Sequence, residues 1–451
     1  MPPKVKYETI QFSTFSGKKW EIDFDEPNLT SNSGILALLQ SGIGPKLFDA
    51  MASGVSDFRQ NPTHSVTQII SQRVSQIIAG YFDANDSKEL QGDAVMLAAS
   101  GKSTDEKLPS QPTISRFENS VTRKDLYRIA AAIMNHYLDS FCGQAPDVIC
   151  MDMDPSAHLV HGQQELGLFN THVGDTCLMP FYIFDGVNGR VMTAVLREGK
   201  TPTADEIICI LKRLIKAIHQ RFPETQILFR GDGHHTKPKV MTWLNTLPNV
   251  DFITGMPKNT VLGRLFGDDI EAAEARYARS VEEDGTFAKD VTTYASSFYK
   301  ARSWDEEERI IARIIVSPKG TDVRYIVTSF HDASAQYLYQ TVYCGRGEAE
   351  LFIKECKLGL GSDTSPCSDA KANQCRLLLH IAAYAIMHRF RETVLKGTQW
   401  AKKTMLEIRL KLIKVAGRLE ILKTKIKLHL PESLGESHRE IWKRSREMAL
   451  E

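Results

Sequence analysis

An α/β fold is predicted for this chain, built on a core of alternating strands and helices that starts near residue 143. Three observations predict it. First, helical periodicity gives way after residue 142 to short apolar runs bounded by turn residues. Val148 to Met153, Leu178 to Phe184 and Arg190 to Leu196 read as strands, and Asp185-Gly-Val-Asn-Gly189 reads as a hairpin turn between the latter two. Second, Ala204 to Phe222 reads as an amphipathic helix with Ile207, Ile208, Leu211, Leu214, Ile215 and Ile218 on one face. Third, Gln226 to Phe229 is a buried-type strand that runs into Arg230-Gly-Asp-Gly233, followed by a helix over Pro238 to Leu247 and a short strand at Asp251 to Thr254. Three antiparallel strands, a crossover helix and a fourth strand match the order of a ribonuclease-H-like fold.

The flanking segments have other periods. Residues 33 to 142 are expected to be helical, most clearly at Val66, Ile69, Ile70, Val74, Ile77 and Ile78 and again from Tyr127 to Phe141. Within this region Ser110 is placed to cap a helix starting near Pro112, with Thr113, Ser115 and Arg116 on its first turns. That resembles the start of a recognition helix in a helix-turn-helix, the alternative being a solvated helix start with no DNA role. Residues 257 to 335 read as a largely β insertion: a charged stretch, Asp268 to Asp284, then strand-like runs at Val291 to Tyr299, Ile310 to Val316 and Tyr325 to Ser329. Trp304 in this insertion reads as a packed strand tryptophan, with stacking on an unpaired base as the alternative. A helix carrying Tyr343 to Lys357 follows, then a loop with Pro366 and a helix from Ala370 to Val394.

In the tail, Leu406, Ile408, Leu410 and Leu412 alternate with Glu407, Arg409 and Lys411, and Ile426, Leu428 and Leu430 alternate with Lys425, Lys427 and His429. Period two argues for strands paired as a hairpin. The polar face, with Arg409, Lys411, Lys414, Arg418, Lys423, Lys425 and Lys427, is a candidate surface for a DNA backbone or a solvated edge guarded by lysines. The expected organisation is therefore a helical N-terminal DNA-binding region over 1–142, a core over 143–256, a β-rich insertion over 257–335, core helices over 336–398 and a basic C-terminal hairpin and tail over 399–451.

Composition sets limits. At 451 residues the chain is too long for one compact core. Lys plus Arg is 56 against 55 for Asp plus Glu, so nucleic-acid binding cannot rest on overall charge and needs local basic clusters. The 8 cysteines form no C-x-x-C pair, which argues against a structural zinc site and for a reducing compartment. Met1 to Phe12 has no apolar core of a signal segment, and no stretch approaches the roughly 20 apolar residues of a membrane span, so no membrane partner and a cytoplasmic, nucleoid-associated location are expected.

Chemistry enters with Tyr343, Arg346, Glu350 and Lys357, which fall at i, i+3, i+7 and i+14 of a helical segment. At about 3.6 residues per turn these lie along one stripe. Charges there can pair with each other in water, but an acid flanked by two cations on one face also suits a divalent metal beside a phosphodiester. Such chemistry needs further carboxylates from other elements, and the strand ends Met151-Asp152-Met153-Asp154-Pro-Ser156 and Arg230-Gly-Asp232 supply them. His234 and His235 follow Asp232 directly. They read as phosphate contacts or loop residues rather than Mg²⁺ ligands, since Mg²⁺ avoids imidazole.

The spacing Y-(2)-R-(3)-E-(6)-K is similar to the YREK signature of bacterial insertion-sequence transposases of the DDE class. Further matching segments are Leu108-Pro-Ser-Gln-Pro-Thr-Ile-Ser-Arg-Phe-Glu-Asn119, Met151 to Ser156, His161-Gly-Gln-Gln-Glu165, Pro180 to Asp185, Ala194 to Arg197, Leu228 to Asp232 and Ala372-Asn-Gln-Cys-Arg-Leu377. The chain thus resembles the group-one DDE transposases of the insertion sequence thirteen-eighty type. The resemblance implies Asp154, Asp232 and Glu350 as the metal-binding catalytic triad for Mg²⁺ or Mn²⁺. It implies Tyr343, Arg346 and Lys357 as phosphate contacts, and double-stranded DNA, transposon ends and target, as partner of a homodimer. Asp152 shares strand parity with Asp154 and remains an alternative ligand. Asp154 is favoured because Asp-Pro-Ser matches the family's Asp-x-Thr, while Ala157 and His158 stand where relatives often have further acids. The expected function is binding of terminal inverted repeats with DNA cleavage and strand transfer. The alternatives are a catalytically inactive, transposase-derived DNA-binding protein or a ribonuclease-H-like nuclease.

Overall fold

The computed structural model describes residues 9–15, 17–26, 28–285 and 289–450, so Met1 to Glu8 of the leading segment lie outside the described residues. The described residues fall into two compact units, the second comprising 54–56 and those from 118 to 385, the first comprising the others. The N-terminal part of the first unit runs to residue 117, whereas the sequence placed its helical region up to 142. Helix α1, Arg123–Asp139, belongs to the second unit because Met134, Tyr137 and Leu138 on its apolar face join that unit's core.

The second unit is organised by an eight-stranded mixed sheet. In chain order its strands are β1 Val148–Pro155, β2 Phe181–Asp185, β3 Val191–Val195, β4 Gln226–Gly231, β5 Val250–Met256, β6 Val291–Tyr299, β7 Glu308–Ser317 and β8 Gly320–Thr328. Their order across the sheet is β3-β2-β1-β4-β5-β8-β7-β6. β1, β2 and β3 are antiparallel, and β4 and β5 run parallel to β1. The five strands expected from the sequence are thus present with the order and directions of a ribonuclease-H-like core. Parallel strands buried on both faces require crossovers, and α2, Ala204–Arg221, and α3, Pro238–Asn245, supply them. Thr203 and Glu206 close a capping box at the start of α2, and Ile207, Leu211, Leu214, Ile215 and Ile218 are buried along one of its faces.

The segment expected as a β-rich insertion widens the same sheet. β8 pairs antiparallel with β5, with Thr254 opposite Val327, and β7 and β6 follow outward. It is also less β-rich than expected. Thr260–Leu265 and α4, Gly267–Asp284, are helical, since Ile270, Ala273 and Tyr277 recur at helical spacing and pack on the core. Trp304 is buried in the turn between β6 and β7, edge-on to Tyr299 at 5.4 Å. A smaller sheet, absent from the sequence reading, joins His158–Leu159, Leu168–Asn170 and Asp175–Leu178.

In the first unit, the strand expected at Leu406 to Leu412 is a correction. Met405–Ile408 is α-helical and Arg409–Ile413 continues as a π turn. Thr404 and Glu407 form a capping box, and Met405, Ile408 and Leu412 are buried at helical spacing while Leu406 and Leu410 face solvent. The hairpin exists further on, Gly417–Ile421 against Ile426–His429, and Gly417 also pairs with Thr30. Among the described residues no helix is long and apolar enough to cross a membrane.

Leu211 is fully buried against the central sheet. Leu211→Ala is expected to cost about 2–5 kcal/mol by lost transfer energy plus the cavity left behind. Urea unfolding followed by tryptophan fluorescence checks it, with an unchanged midpoint contradicting this packing.

Candidate active site

β1 and β4 pair in register, Arg230 opposite Asp152 and Gly231 opposite Met153, so both strands leave the sheet at the same edge. Asp154 near the end of β1 and Asp232 just beyond β4 line one cleft of about 520 Å³ with Ser156, Arg346, Glu350 and Lys357. Asp154, Asp232, Glu350, Arg346 and Lys357, singled out from sequence, are therefore brought together. Tyr343 is not on the cleft wall; its ring lies 5.7 Å from the Arg346 guanidinium, and burial pushes its phenol up. Arg116, exposed on the helix Gln111–Ser120, is not part of this cleft.

The segment bearing the stripe is not the single α-helix that its spacing predicts. Leu338–Tyr343 is a π turn, Cys344–Arg346 a 3₁₀ turn, Gly347–Lys354 is α-helical (α5), and Glu355–Gly359 is a second π turn. Arg346, Glu350 and Lys357 nonetheless all line the cleft. Within the segment, Gly345 lets Arg230 approach closely, since a Cβ there would come within 2.7 Å of Arg230 Nη1.

Each acid is held differently. Asp154 is 5% exposed; Oδ1 accepts from Arg346 Nη1 at 2.5 Å, and Oδ2 is buried with no partner. Burial pushes its carboxyl up, opposed chiefly by the Arg346 charge. Asp232 is gripped by both histidines: His235 Nδ1 donates to Oδ1 at 2.9 Å, and His234 Nδ1 donates to Oδ2 at 3.0 Å. Burial alone would raise Asp232, but the bonds from His235 and His234 outweigh it and hold the carboxyl well below the usual carboxylate range. Glu350 faces solvent. Asp152, the alternative ligand, is fully buried, absent from the cleft wall, and has both oxygens taken by Arg230 at 2.6 and 2.7 Å.

Carboxylates are the hard donors that Mg²⁺ and Mn²⁺ take, and the orphaned Asp154 Oδ2 is an acceptor with nothing to accept. The donor types therefore fit a divalent cation. Their present positions do not gather a complete set: among the described residues no group of three or more His, Cys, Asp or Glu stands so as to hold a metal ion. Arg346 occupies Asp154 Oδ1, and the imidazoles occupy both oxygens of Asp232.

The brace around Asp232 escaped the sequence reading. His235 is fully buried, tilted against Phe181 at 5.3 Å and edge-on to Phe229 at 5.8 Å, and Gly231 leaves it room, since a Cβ there would stand 2.7 Å from its ring. Adjacency to Asp232 was the available signal. A second unread feature is a buried chain in which His158 meets Tyr182 Oη at 2.9 Å and Ser365 Oγ at 3.2 Å, and Tyr182 Oη meets Ser362 Oγ at 2.8 Å. It ties the loop after Lys357 to the sheet, while Lys357 Nζ donates to Ala157 O at 2.9 Å. Two of the quoted motifs have structural roles: Glu165 accepts from the Ala370 N–H that opens α6, Ala370–Glu392, and Gln374 donates to Ala194 O and accepts from Leu196 N at the free edge of β3.

A family model, transposase DDE domain group 1, matches residues 12–445. The chain belongs to that family, and its class is that of a DDE transposase. No curated protein matches it. Among solved structures, the piggyBac transposase synaptic complex with hairpin DNA is similar at a TM-score of 0.43 and 9% identity, over 84% of this chain and 79% of that one.

Burial, with the Lys357 charge adding, pushes the His158 imidazole down to about 3. Unfolded, it would take a proton near the ordinary value of about 6.5. Its contribution is therefore fully present above about pH 6.5 and is lost as pH falls toward 3, by at most about 1.4 kcal/mol per pH unit. His158→Gln is expected to flatten the fall in stability between pH 6 and 4. Urea midpoints at several pH values measure it, and parallel slopes for parent and variant would contradict a buried neutral imidazole.

Proposed function

We propose that this chain is the transposase of an insertion sequence of the thirteen-eighty type, binding terminal inverted repeats and cutting and joining DNA strands. The observation that supports this is one cleft in which three carboxylates from separate elements, Asp154, Asp232 and Glu350, meet the cations Arg346, Lys354 and Lys357. Asp154, Asp232 and Glu350 are the metal-binding residues in this reading. Mg²⁺ or Mn²⁺ held there would supply Lewis-acid activation and charge neutralisation for in-line attack by water or a 3′-hydroxyl.

The chain's own residues do the rest. Lys357, backed by Ala157 O, and Arg346, lying over Tyr343, hold phosphates beside the scissile bond, a positioning effect that small shifts spoil. Arg346 serves two acceptors: it leaves Asp154 Oδ1 when a DNA phosphate takes its guanidinium, which frees that oxygen. Asp232 is kept ionised and oriented by His234 and His235. Reading of the repeat falls to the first unit, with Arg116 reaching a base edge and the basic residues of the hairpin tail reaching phosphates. The protein acts on double-stranded DNA as a homodimer at the nucleoid.

Asp232→Asn and Glu350→Gln are expected to abolish Mg²⁺-dependent strand cleavage of an inverted-repeat duplex while specific binding persists. Near-normal cleavage by either purified variant overturns the assignment; loss of binding together with cleavage points to a folding defect instead. For recognition, Arg116→Ala is expected to relax sequence preference at one position by about 1–3 kcal/mol with little change in salt slope. Equal weakening on random DNA would make Arg116 a phosphate contact.

A further inference from the structure

Behind the cleft wall lies a buried ion pair that the reaction itself does not use. Asp152 and Arg230 are register partners on β1 and β4, exposed by 0% and 5%. Arg230 Nε donates to Asp152 Oδ1 at 2.6 Å and Nη2 to Oδ2 at 2.7 Å, the two-pronged geometry that only a guanidinium provides. Its remaining terminal nitrogen, Nη1, donates at 2.7 Å to the carbonyl of Val342, in the π turn that leads to Tyr343 and Arg346. One side chain thus touches three elements: the strand of Asp154, the strand of Asp232 and the segment of Glu350. Strand side chains repeat with period two, so Asp152 stands on the same face of β1 as Asp154.

Glycine on two other elements makes the arrangement possible. A Cβ at Gly186 would stand 2.2 Å from both Arg230 Nη2 and Asp152 Oδ2, and one at Gly345 would stand 2.7 Å from Arg230 Nη1. Stability alone does not account for such a device. Taking a carboxylate and a guanidinium out of water costs about as much as their attraction returns, and apolar residues of similar volume often do as well or better. What the pair has that apolar residues lack is direction: three hydrogen bonds of fixed geometry that set how far β1, β4 and the Val342 turn stand from one another.

The geometry points to Arg230 and Asp152 as positioning residues that fix the spacing of the three cleft carboxylates. The inference rests on the two-metal reading given above, so the test separates the two. In the full-length protein, the double variant Asp152→Leu with Arg230→Met keeps the volume and removes the directional bonds; Arg230→Lys keeps the charge and loses the fork. Both are expected to melt close to the parent and to bind inverted-repeat duplex within about 3-fold of it. Single-turnover cleavage in Mg²⁺ at saturating DNA is expected to fall about 100-fold, the effect of a displacement near 1 Å. Mn²⁺, more tolerant of ligand geometry, is expected to restore part of that rate to Arg230→Lys, a readout that a purely structural loss would not give. Independently of activity, hydrogen exchange is expected to quicken at residues 342–350 and to stay unchanged through α2. Cleavage by Arg230→Lys at the parent rate, or unaltered exchange at 342–350, overturns the positioning role. Asp232→Asn run alongside marks the other failure: if it also cleaves normally, the two-metal reading is what falls. Should the double variant not fold, Gly345→Ala, which presses only on Arg230 Nη1, is expected to slow cleavage with both charges intact, and its cleaving at the parent rate would overturn the role equally.

Discussion

The in-register parallel pairing of β1 and β4 is the constraint on which the cleft depends. Because Arg230 lies opposite Asp152 and Gly231 opposite Met153, the strands end together, and Asp154 and Asp232 emerge side by side. A slip of one residue would turn Asp154 to the other face of the sheet, since side chains alternate along a strand. The apolar residues around them enforce the register: Ile149, Met151 and Met153 on β1 and Ile227 and Phe229 on β4 are all buried in one core with α2 and α3. The same pairing makes the Arg230–Asp152 bond possible.

A second theme is how a chain keeps carboxylates in a partly dry cleft. Removing a carboxylate from water is costly unless a partner compensates. This chain uses a different partner each time: a guanidinium from the irregular helical segment for Asp154, two imidazoles from the following loop for Asp232, and solvent for Glu350. Asp152 takes a fourth solution, a buried fork, and in doing so leaves the set of cleft residues. Parity alone could not separate Asp152 from Asp154; what separates them is that the residue opposite Asp152 is an arginine.

Much of this was legible in the sequence, for reasons that can be named. Apolar runs and the face of α2 gave the five core strands and their crossover, because buried sheets and amphipathic helices leave strong periodicities. The stripe from Arg346 to Lys357 was legible because it needs only local helical geometry, although π and 3₁₀ turns interrupt it. The tail misled because Leu406, Ile408, Leu410 and Leu412 alternate, while the capping box at Thr404 and Glu407 and the burial of Met405, Ile408 and Leu412 favour a helix. Here a start signal of a few residues outweighed a run of period two. The histidine brace and the Arg230 fork were not legible, since both depend on which residues face each other across the fold.

The widened sheet bears on the site more than its place in the chain implies. Ile253 of β5, Ile311 of β7 and Ile326 of β8 form a core cluster with Leu338 and Tyr339, the first residues of the π turn. Tyr294 of β6 packs 5.7 Å from the Tyr339 ring, and the Arg313 guanidinium lies 5.3 Å from it. Residues between β5 and the Glu350 segment thus form the floor on which that segment begins. Arg230 then holds the segment at the Val342 carbonyl, and the His158, Tyr182 and Ser362 chain holds it beyond Lys357. Anchored at both ends by groups that are buried, the stretch between is free to present Glu350, Leu351 and Leu358 to solvent. A segment built this way holds its cations and its acid in place while leaving the mouth of the cleft open.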